Sequence, residues 1–442
     1  MKTGFKLLIV LPDGRIHRLK LGAWRRSFRE APLTATTLAA LVPPELNVDI
    51  TLADESVDRV PFERKFDLVA ISCITGAATR GYEIADYFRA QGATVVLGGV
   101  HVTLLPDEAA QHADAIVVGF AEQTWPQLLR DYANNSLQRT YRSDAMQLEN
   151  LPHPRRDLQK SFRYNVPNTV FATRGCKGTC DFCAVPAAKF GWHQRPIPDV
   201  IGEIKAIKSR RIAFNDVNLT EDPDYAKEFL TALIPLKKRW GGLASSRIRQ
   251  DDELLDLMAK SGCQFILIGF ESLNNRSLAS MHKAFNKVED YRELVGKLHD
   301  RSIVIQGCFI FGLDEDDRTV FEQTVDLVNN LSIDIPRYAI YTPFPGTPSF
   351  QRLQAEHRLL HYCWEYYDTQ HVVFQPAQMT PQELDNGFKW AFKETFRLGS
   401  SFHRTKRAGR NFPIAFIGNL AYKLYIRRLY GEEHRFPEKI EH

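Results

Sequence analysis

No apolar run in the 442-residue chain approaches the roughly 18 residues a membrane-spanning helix needs. A secretory leader is lacking too. Met1-Lys2-Thr3-Gly4-Phe5-Lys6 opens onto Leu7–Leu11, which is strand-length and closes at Pro12. The expected setting is cytoplasmic, where disulfides are disfavoured. Charge of one sign is scarce: 57 Lys and Arg stand against 53 Asp and Glu. A net charge of +4 gives no argument for nucleic acid. The local exception is the basic run Arg397–Arg428, read as a solvated helical face, with an anionic substrate or a membrane surface as the other reading. No internal repeat or low-complexity tract stands out. Cysteine is also sparse. Of seven, Cys73, Cys263, Cys308 and Cys363 are scattered in or beside apolar runs and read as small core residues. Cys73 and Cys308 lie near predicted strand ends. The other three crowd between Cys176 and Cys183.

What is present is a globular composition, 44% hydrophobic and 25% charged, in a chain long enough for several domains. Residues 1–140 alternate strands (Lys6–Leu11, Val48–Leu52, Leu68–Ser72, Thr94–Leu97, Ala115–Val118) with helices (Ala35–Leu41, Arg80–Arg89, Thr124–Tyr132). Near-continuous apolar strands separated by helices predict an α/β domain, a doubly wound parallel sheet covered on both faces. Apolar periodicity lapses over 141–164, where Pro152 and Pro154 forbid a helix, and this segment reads as a linker.

Strands resume at Thr169–Thr173, Arg211–Phe214, Leu243–Ser246, Phe265–Gly269, Val304–Ile310 and Arg337–Tyr341, with helices such as Asp251–Lys260 and Val320–Leu331 between them. Six βα units over 165–350 predict a partial (β/α)6 barrel, with its chemistry at the carboxyl ends of the strands. Residues 351–442 read as a C-terminal helical region. Within it, Thr380-Pro381-Gln382-Glu383 has the form of a helix start, Thr380 as N-cap and Glu383 closing a capping box.

The cysteine cluster, Gly175-Cys176-Lys177-Gly178-Thr179-Cys180-Asp181-Phe182-Cys183, follows the first barrel strand directly. A structural zinc site normally has four ligands, often as paired knuckles, and no second pair is present. Three thiolates can hold three irons of a cubane and leave the fourth iron open for a reacting cofactor. This Cys-x3-Cys-x2-Cys pattern, with an aromatic before the last cysteine, resembles the radical S-adenosylmethionine (SAM) superfamily. The resemblance implies a 4Fe–4S cluster on Cys176, Cys180 and Cys183, with SAM on the open iron and Phe182 near the adenine. It also implies SAM contacts from Asn215 and Asp216 after the second strand, although the usual Gly-Gly-Glu is absent there. Arg247, after Ser246 at the third strand end, would pair with the methionyl carboxylate, and Glu271, at the fourth, would face the ribose. Each of these four has an ordinary capping or surface role as its alternative.

A doubly wound domain ahead of such a barrel resembles the cobalamin-binding branch. Three strand ends carry the likeness: Ser72-Cys73-Ile74-Thr75-Gly76, Gly98-Gly99-Val100-His101 and Gly119-Phe120-Ala121-Glu122. They imply cobalamin contacts from Ser72, Thr75, Gly76, Gly98, Gly99, His101, Gly119 and Glu122. The loop Tyr341–Pro348 resembles one recurrent in the same branch. The axial Asp-x-His-x-x-Gly motif is missing, because Asp13 and His17 are wrongly spaced, so a histidine-free cobalt is expected. The likeness covers residues 1 to about 350 and points to the branch of the anaerobic magnesium-protoporphyrin ester cyclase and the hopanoid methylases.

That branch implies reductive SAM cleavage to a 5′-deoxyadenosyl radical and methyl transfer from methylcobalamin to an unactivated carbon. Oxidative cyclisation or rearrangement without methyl transfer is the enzymatic alternative, and a non-catalytic iron–sulfur protein the alternative of another class. The implied partners are a small-molecule, lipid or tetrapyrrole substrate and an electron donor such as flavodoxin or ferredoxin.

Overall fold

The computed structural model describes residues 2–14, 27–143 and 146–429. The chain forms two compact units that do not follow chain order. One takes in Met1–Lys177, Cys183–Asn215 and Phe344–Thr347; the other Gly178–Phe182, Asp216–Pro343 and Pro348–His442.

The first unit contains strands β1 Lys6–Leu11, β2 Ser27–Glu30, β3 Asp49–Asp54, β4 Leu68–Ser72, β5 Thr94–Gly98, β6 Ala115–Gly119 and β7 Thr140–Ser143. Six of them make a parallel sheet in the order β3-β1-β4-β5-β6-β7. Successive residues point to opposite faces, and both faces are buried. Leu7, Ile9, Leu68, Ala70, Val96 and Val117 pack with Ala39, Trp125 and Leu128 of helices Thr34–Ala40 and Ala121–Ala133. On the alternate positions, Leu8, Val10, Val69, Ile71, Val95 and Leu97 are buried as well, and helix Ala78–Ala90 packs on β4 and β5. This double burial is why the strands read as continuous apolar runs. The strand order reverses between β1 and β4, so their carboxyl ends, at Leu11 and Ser72, open the crevice where such sheets take ligands.

The segment read as a linker holds β7 and, at its end, β8 Tyr164–Val166, which pairs with β2. Also in this unit, β9 Thr169–Val170 pairs in parallel with β12 Arg211–Phe214, and β10 Thr173–Gly175 forms an antiparallel pair with β11 Trp192–Gln194. The strand expected over Thr169–Thr173 is thus divided between β9 and β10.

The second unit carries β13 Arg239–Ala244, β14 Cys263–Glu271, β15 Val304–Phe311 and β16 Ile335–Ile340, parallel and adjacent in that order. β13 starts and ends earlier than expected, since Gly241-Gly242 belongs to the strand rather than breaking it. A Cβ on Gly241 would lie 3.1–3.4 Å from Phe265, so close strand approach explains that glycine. Helices Pro348–Ala355, Pro381–Thr395, Leu398–Thr405 and Phe412–Leu429 complete the unit. The capping box stands as read: Glu383 N–H donates to Thr380 Oγ1 at 3.2 Å, and Thr380 N–H to Glu383 Oε2 at 2.9 Å.

Candidate functional site

The loop carrying Cys176 leaves β10 at Gly175, whose φ is +77°. A Cβ there would fall 1.8 Å from Gly191 O, so only glycine lets the chain turn beside β11. The Cys176 N–H donates to Gly191 O at 2.8 Å, fixing the first cysteine to the hairpin. Cys183 directly precedes the short helix Ala184–Ala187, with no capping bond from its side chain. All three thiols are partly exposed and none is in a disulfide. Among the described residues no three His, Cys, Asp or Glu side chains converge as one metal ion would require. A cubane has no such requirement, because each thiolate takes a different iron. Three soft sulfur donors on a glycine-relaxed loop therefore fit an iron–sulfur cluster.

Behind the loop, Arg195 and Glu203 form a buried ion pair at 2.7 Å, and Arg195 also donates to Phe171 O at 2.9 Å. Phe171 lies under the guanidinium groups of both Arg174 and Arg195, 4.1 and 4.8 Å from its ring centre. The backbone leading into Gly175 is braced from two sides.

In the second unit, Glu271 is the last residue of β14, beside a register shift, with φ +68°. This conformation is uncommon outside glycine, and the carboxylate lies back over Gly269, where an added Cβ would meet Glu271 Oε1 at 2.2 Å. Glu271 is buried and ion-paired with Lys283, whose ammonium lies 5.9 Å from the Phe182 ring centre. Phe182 meets Tyr341 edge-on at 6.3 Å. Asn286 donates to Gly269 O (2.8 Å) and Phe270 O (3.1 Å) and bonds the Ser246 hydroxyl. The Tyr291 hydroxyl donates to Phe270 O at 2.7 Å. The structure thus brings Phe182, Lys283 and Glu271 together. Lys283, Asn286 and Tyr291 were missed in the sequence, where nothing in the segment Lys283–Tyr291 marks them as partners of a strand end. Asp216 is buried and Asn215 exposed after β12. Arg247 is exposed beyond β13, in the 3-10 turn Ser246–Gln250, over the Phe285 ring at 4.4 Å. Burial pushes the Cys308 thiol, on β15, up to about 12.

In the first unit the three strand ends line one edge, with Ser72 opposite Gly98 in register. Thr75 is buried, and its Oγ1 lies 3.3 Å from Nδ1 of the fully buried His101. The other ring nitrogen of His101 lies 3.3 Å from Glu108 Oε1, which also accepts from Tyr82 at 2.9 Å. Thr103 Oγ1 bridges the glycine turns, donating to Gly99 O and accepting from Gly119 N–H, both at 3.0 Å. Gly99 has φ +100°, and a Cβ there would meet Cys73 O at 2.6 Å; one on Gly119 would meet Ser143 O at 2.5 Å. Gly98 differs: a Cβ there would make ordinary contact, 3.6 Å from Val117 Cβ, so the protein's own packing does not require glycine. Ile74, between Ser72 and Thr75, is 60% exposed despite its apolar side chain. A glycine that packing does not require and a bare apolar residue at this edge fit a large bound group such as cobalamin. His17 lies outside the described residues.

The same unit joins this edge to the cysteine hairpin. Arg174 and Glu122 lie 3.5 Å apart, and Phe120 packs on Phe190 (4.9 Å) and His193 (5.6 Å). Helix Val100–Leu104 packs on helix Ala184–Ala187, and Gly346 approaches Leu104. Phe120, Phe190 and His193 also went unrecognised in the sequence.

Comparison with known proteins matches the B12 binding domain over residues 13–129 and the radical SAM superfamily over residues 170–328. The bacteriochlorophyllide d C-12(1)-methyltransferase of Chlorobaculum tepidum is 33% identical over 402 residues, spanning 87% of this chain and 86% of that protein. The bacteriochlorophyllide d C-8(2)-methyltransferase of the same organism is 30% identical over 411 residues, spanning 88% and 90%. In fold, the chain is similar to the radical SAM methyltransferase TsrM from Kitasatospora setae, solved with cobalamin and a [4Fe–4S] cluster bound. The TM-score is 0.64 at 16% identity, covering 80% of this chain and 78% of that one. The cofactors of this chain are accordingly a 4Fe–4S cluster, SAM and cobalamin. With both domains matched and a relative aligned nearly end to end, the chain belongs to the cobalamin-binding branch of the radical SAM enzymes, together with the bacteriochlorophyllide C-methyltransferases.

Proposed function

We propose that the chain is a C-methyltransferase acting on a tetrapyrrole of the bacteriochlorophyllide type. The observation that carries this reading is the 33% identity to a bacteriochlorophyllide methyltransferase across 87% of the chain. Cyclisation without methyl gain has weaker support. The anaerobic magnesium-protoporphyrin IX monomethyl ester cyclase of Cereibacter sphaeroides is 24% identical, and the match spans 56% of it.

When bound, the three cofactors supply reductive cleavage of SAM and delivery of a methyl group to an unactivated carbon. The chain's own groups bind and orient. Cys176, Cys180 and Cys183 hold the cluster on the hairpin loop that Gly175 and the Arg195–Glu203 pair position. Glu271 accepts hydrogen bonds from the SAM ribose, held at the strand end by Lys283 and by the Asn286 and Tyr291 bonds to neighbouring carbonyls. Phe182 flanks the adenine, Asn215 and Asp216 serve the amino group, and Arg247 the methionyl carboxylate. Ser72, Thr75, Gly76, Gly98, Gly99, Gly119 and Glu122 form the cobalamin edge, with His101 holding Thr75 in place. A one-electron donor of the flavodoxin or ferredoxin class would supply the reducing electron, in a cytoplasmic setting.

The test is an anaerobic reaction with reductant, SAM bearing a CD3 methyl, and bacteriochlorophyllide d among other tetrapyrroles, read by mass spectrometry. A product with one CD3 in place of one hydrogen is expected. A cyclised product without methyl gain would reject the reading.

A further inference from the structure

Between Thr395 and Tyr430 the chain carries eight Lys and Arg and no Asp or Glu. Helices Leu398–Thr405 and Phe412–Leu429 occupy most of this stretch. The residues that face inward are firmly held. Arg404 is buried and donates to Asn329, Thr395 O and Asn419, and Asn419 in turn donates to Asp334 O. Several that face outward are apolar. Leu398, Phe402, Ile414, Ile417 and Leu424 are all exposed, Ile417 at 63%. Ile414, Ile417 and Leu424 recur at spacings of three and seven, one face of a helix. Phe402 joins the two helices, its ring 6.0 Å from Phe412 and 6.3 Å from Phe416. Cations border the patch: Lys406 lies over Phe402 at 5.2 Å, and Arg407 and Arg410 are exposed, while Arg397 is paired with Glu394 at 2.8 Å.

An exposed apolar face bordered by Lys406, Arg407 and Arg410 has the chemistry of a helix lying in an anionic lipid interface. No helix among the described residues is long and apolar enough to cross a membrane, so insertion would be shallow. We propose that this C-terminal face docks the enzyme on anionic phospholipid. The apolar side chains enter the boundary between headgroups and acyl chains while Lys406, Arg407 and Arg410 meet the phosphates.

The experiment is vesicle flotation of the anaerobically purified full-length holoenzyme, with phosphatidylcholine alone and with phosphatidylcholine–phosphatidylglycerol. Binding to the anionic vesicles alone is expected, falling with added salt. Lys406→Gln/Arg407→Gln/Arg410→Gln should weaken it roughly fivefold per charge, about a hundredfold together. Ile417→Ser/Leu424→Ser should abolish it. These side chains are exposed, so both variants should melt as the wild type does and cleave SAM in solution at its rate. That control separates the proposal from the methyltransferase reading, on which it does not depend. Wild-type protein that stays unbound with anionic vesicles would overturn the proposal, as would binding unchanged in both variants. Self-association that Ile417→Ser/Leu424→Ser abolishes, without flotation of the wild type, would reassign the face to contact between copies of the chain and overturn it too.

Discussion

Adjacent glycines at the end of β5 should respond in opposite ways to the same added carbon. Gly99 sits at φ +100°, ψ −179°, a region open to essentially no other residue, which costs about 1–3 kcal/mol for alanine. Its Cβ would also fall 2.6 Å from Cys73 O, 2.8 Å from Cys73 N and 2.9 Å from Ser72 Oγ, and such overpacking adds about 1–3 kcal/mol. Gly99→Ala should therefore lose about 2–6 kcal/mol of stability whether or not any ligand binds. At Gly98 the new Cβ makes ordinary contact, 3.6 Å from Val117, so Gly98→Ala should be neutral or gain up to about 1 kcal/mol from a stiffer unfolded chain. Gly98 is thus the clean probe of close cobalamin approach. Gly98→Val should melt near the wild type yet bind cobalamin about five- to 150-fold more weakly, as about 1–3 kcal/mol of steric conflict implies. The assays are thermal unfolding and equilibrium dialysis against hydroxocobalamin. A folded Gly98→Val protein with unchanged cobalamin affinity would refute the placement of the cofactor over this edge.

Anaerobically reconstituted protein should hold about four irons and four sulfides, and Cys176→Ala, Cys180→Ala and Cys183→Ala should each abolish 5′-deoxyadenosine formation while Cys263→Ala, a buried strand residue, retains it; iron and product assays check both. Glu271→Gln should weaken SAM binding tenfold or more, since hydrogen bonds to a charged group are worth about 1.5–3 kcal/mol, with the cluster spectrum unchanged. Lys283→Met should also destabilise the fold by about 3–5 kcal/mol, because it strands a buried carboxylate, as thermal unfolding would show. Electron paramagnetic resonance of the cobalt(II) state should show no protein-nitrogen splitting, and His17→Ala should retain cobalamin.

Legibility in the sequence followed how local the determining interaction is. The capping box at Thr380 and Glu383 lies within four residues and was readable, as were the strands buried on both faces, whose apolar runs are continuous. The cysteine spacing was readable because the cluster chemistry fixes it. β7 was not: an edge strand, it buries Tyr141 between exposed Thr140 and Arg142, so its pattern is one apolar residue long. Tyr141 is held by its hydroxyl bond to Asp131 at 2.8 Å, a partner ten residues back. Lys283 was likewise invisible as the partner of Glu271, since the pairing depends on how the chain after β14 returns to the strand end. The strand-end glycines were picked out for a ligand, but at Gly99 and Gly119 the protein's own backbone already requires glycine.

The central claim is that the methyl group reaches carbon by way of cobalamin. It is tested most directly by one anaerobic turnover of enzyme loaded with CD3-cobalamin, given reductant, unlabelled SAM and bacteriochlorophyllide d. The account predicts that the first product molecule carries CD3 and that 5′-deoxyadenosine forms alongside it. A first product bearing the unlabelled methyl of SAM, with CD3 still on cobalamin, would contradict it.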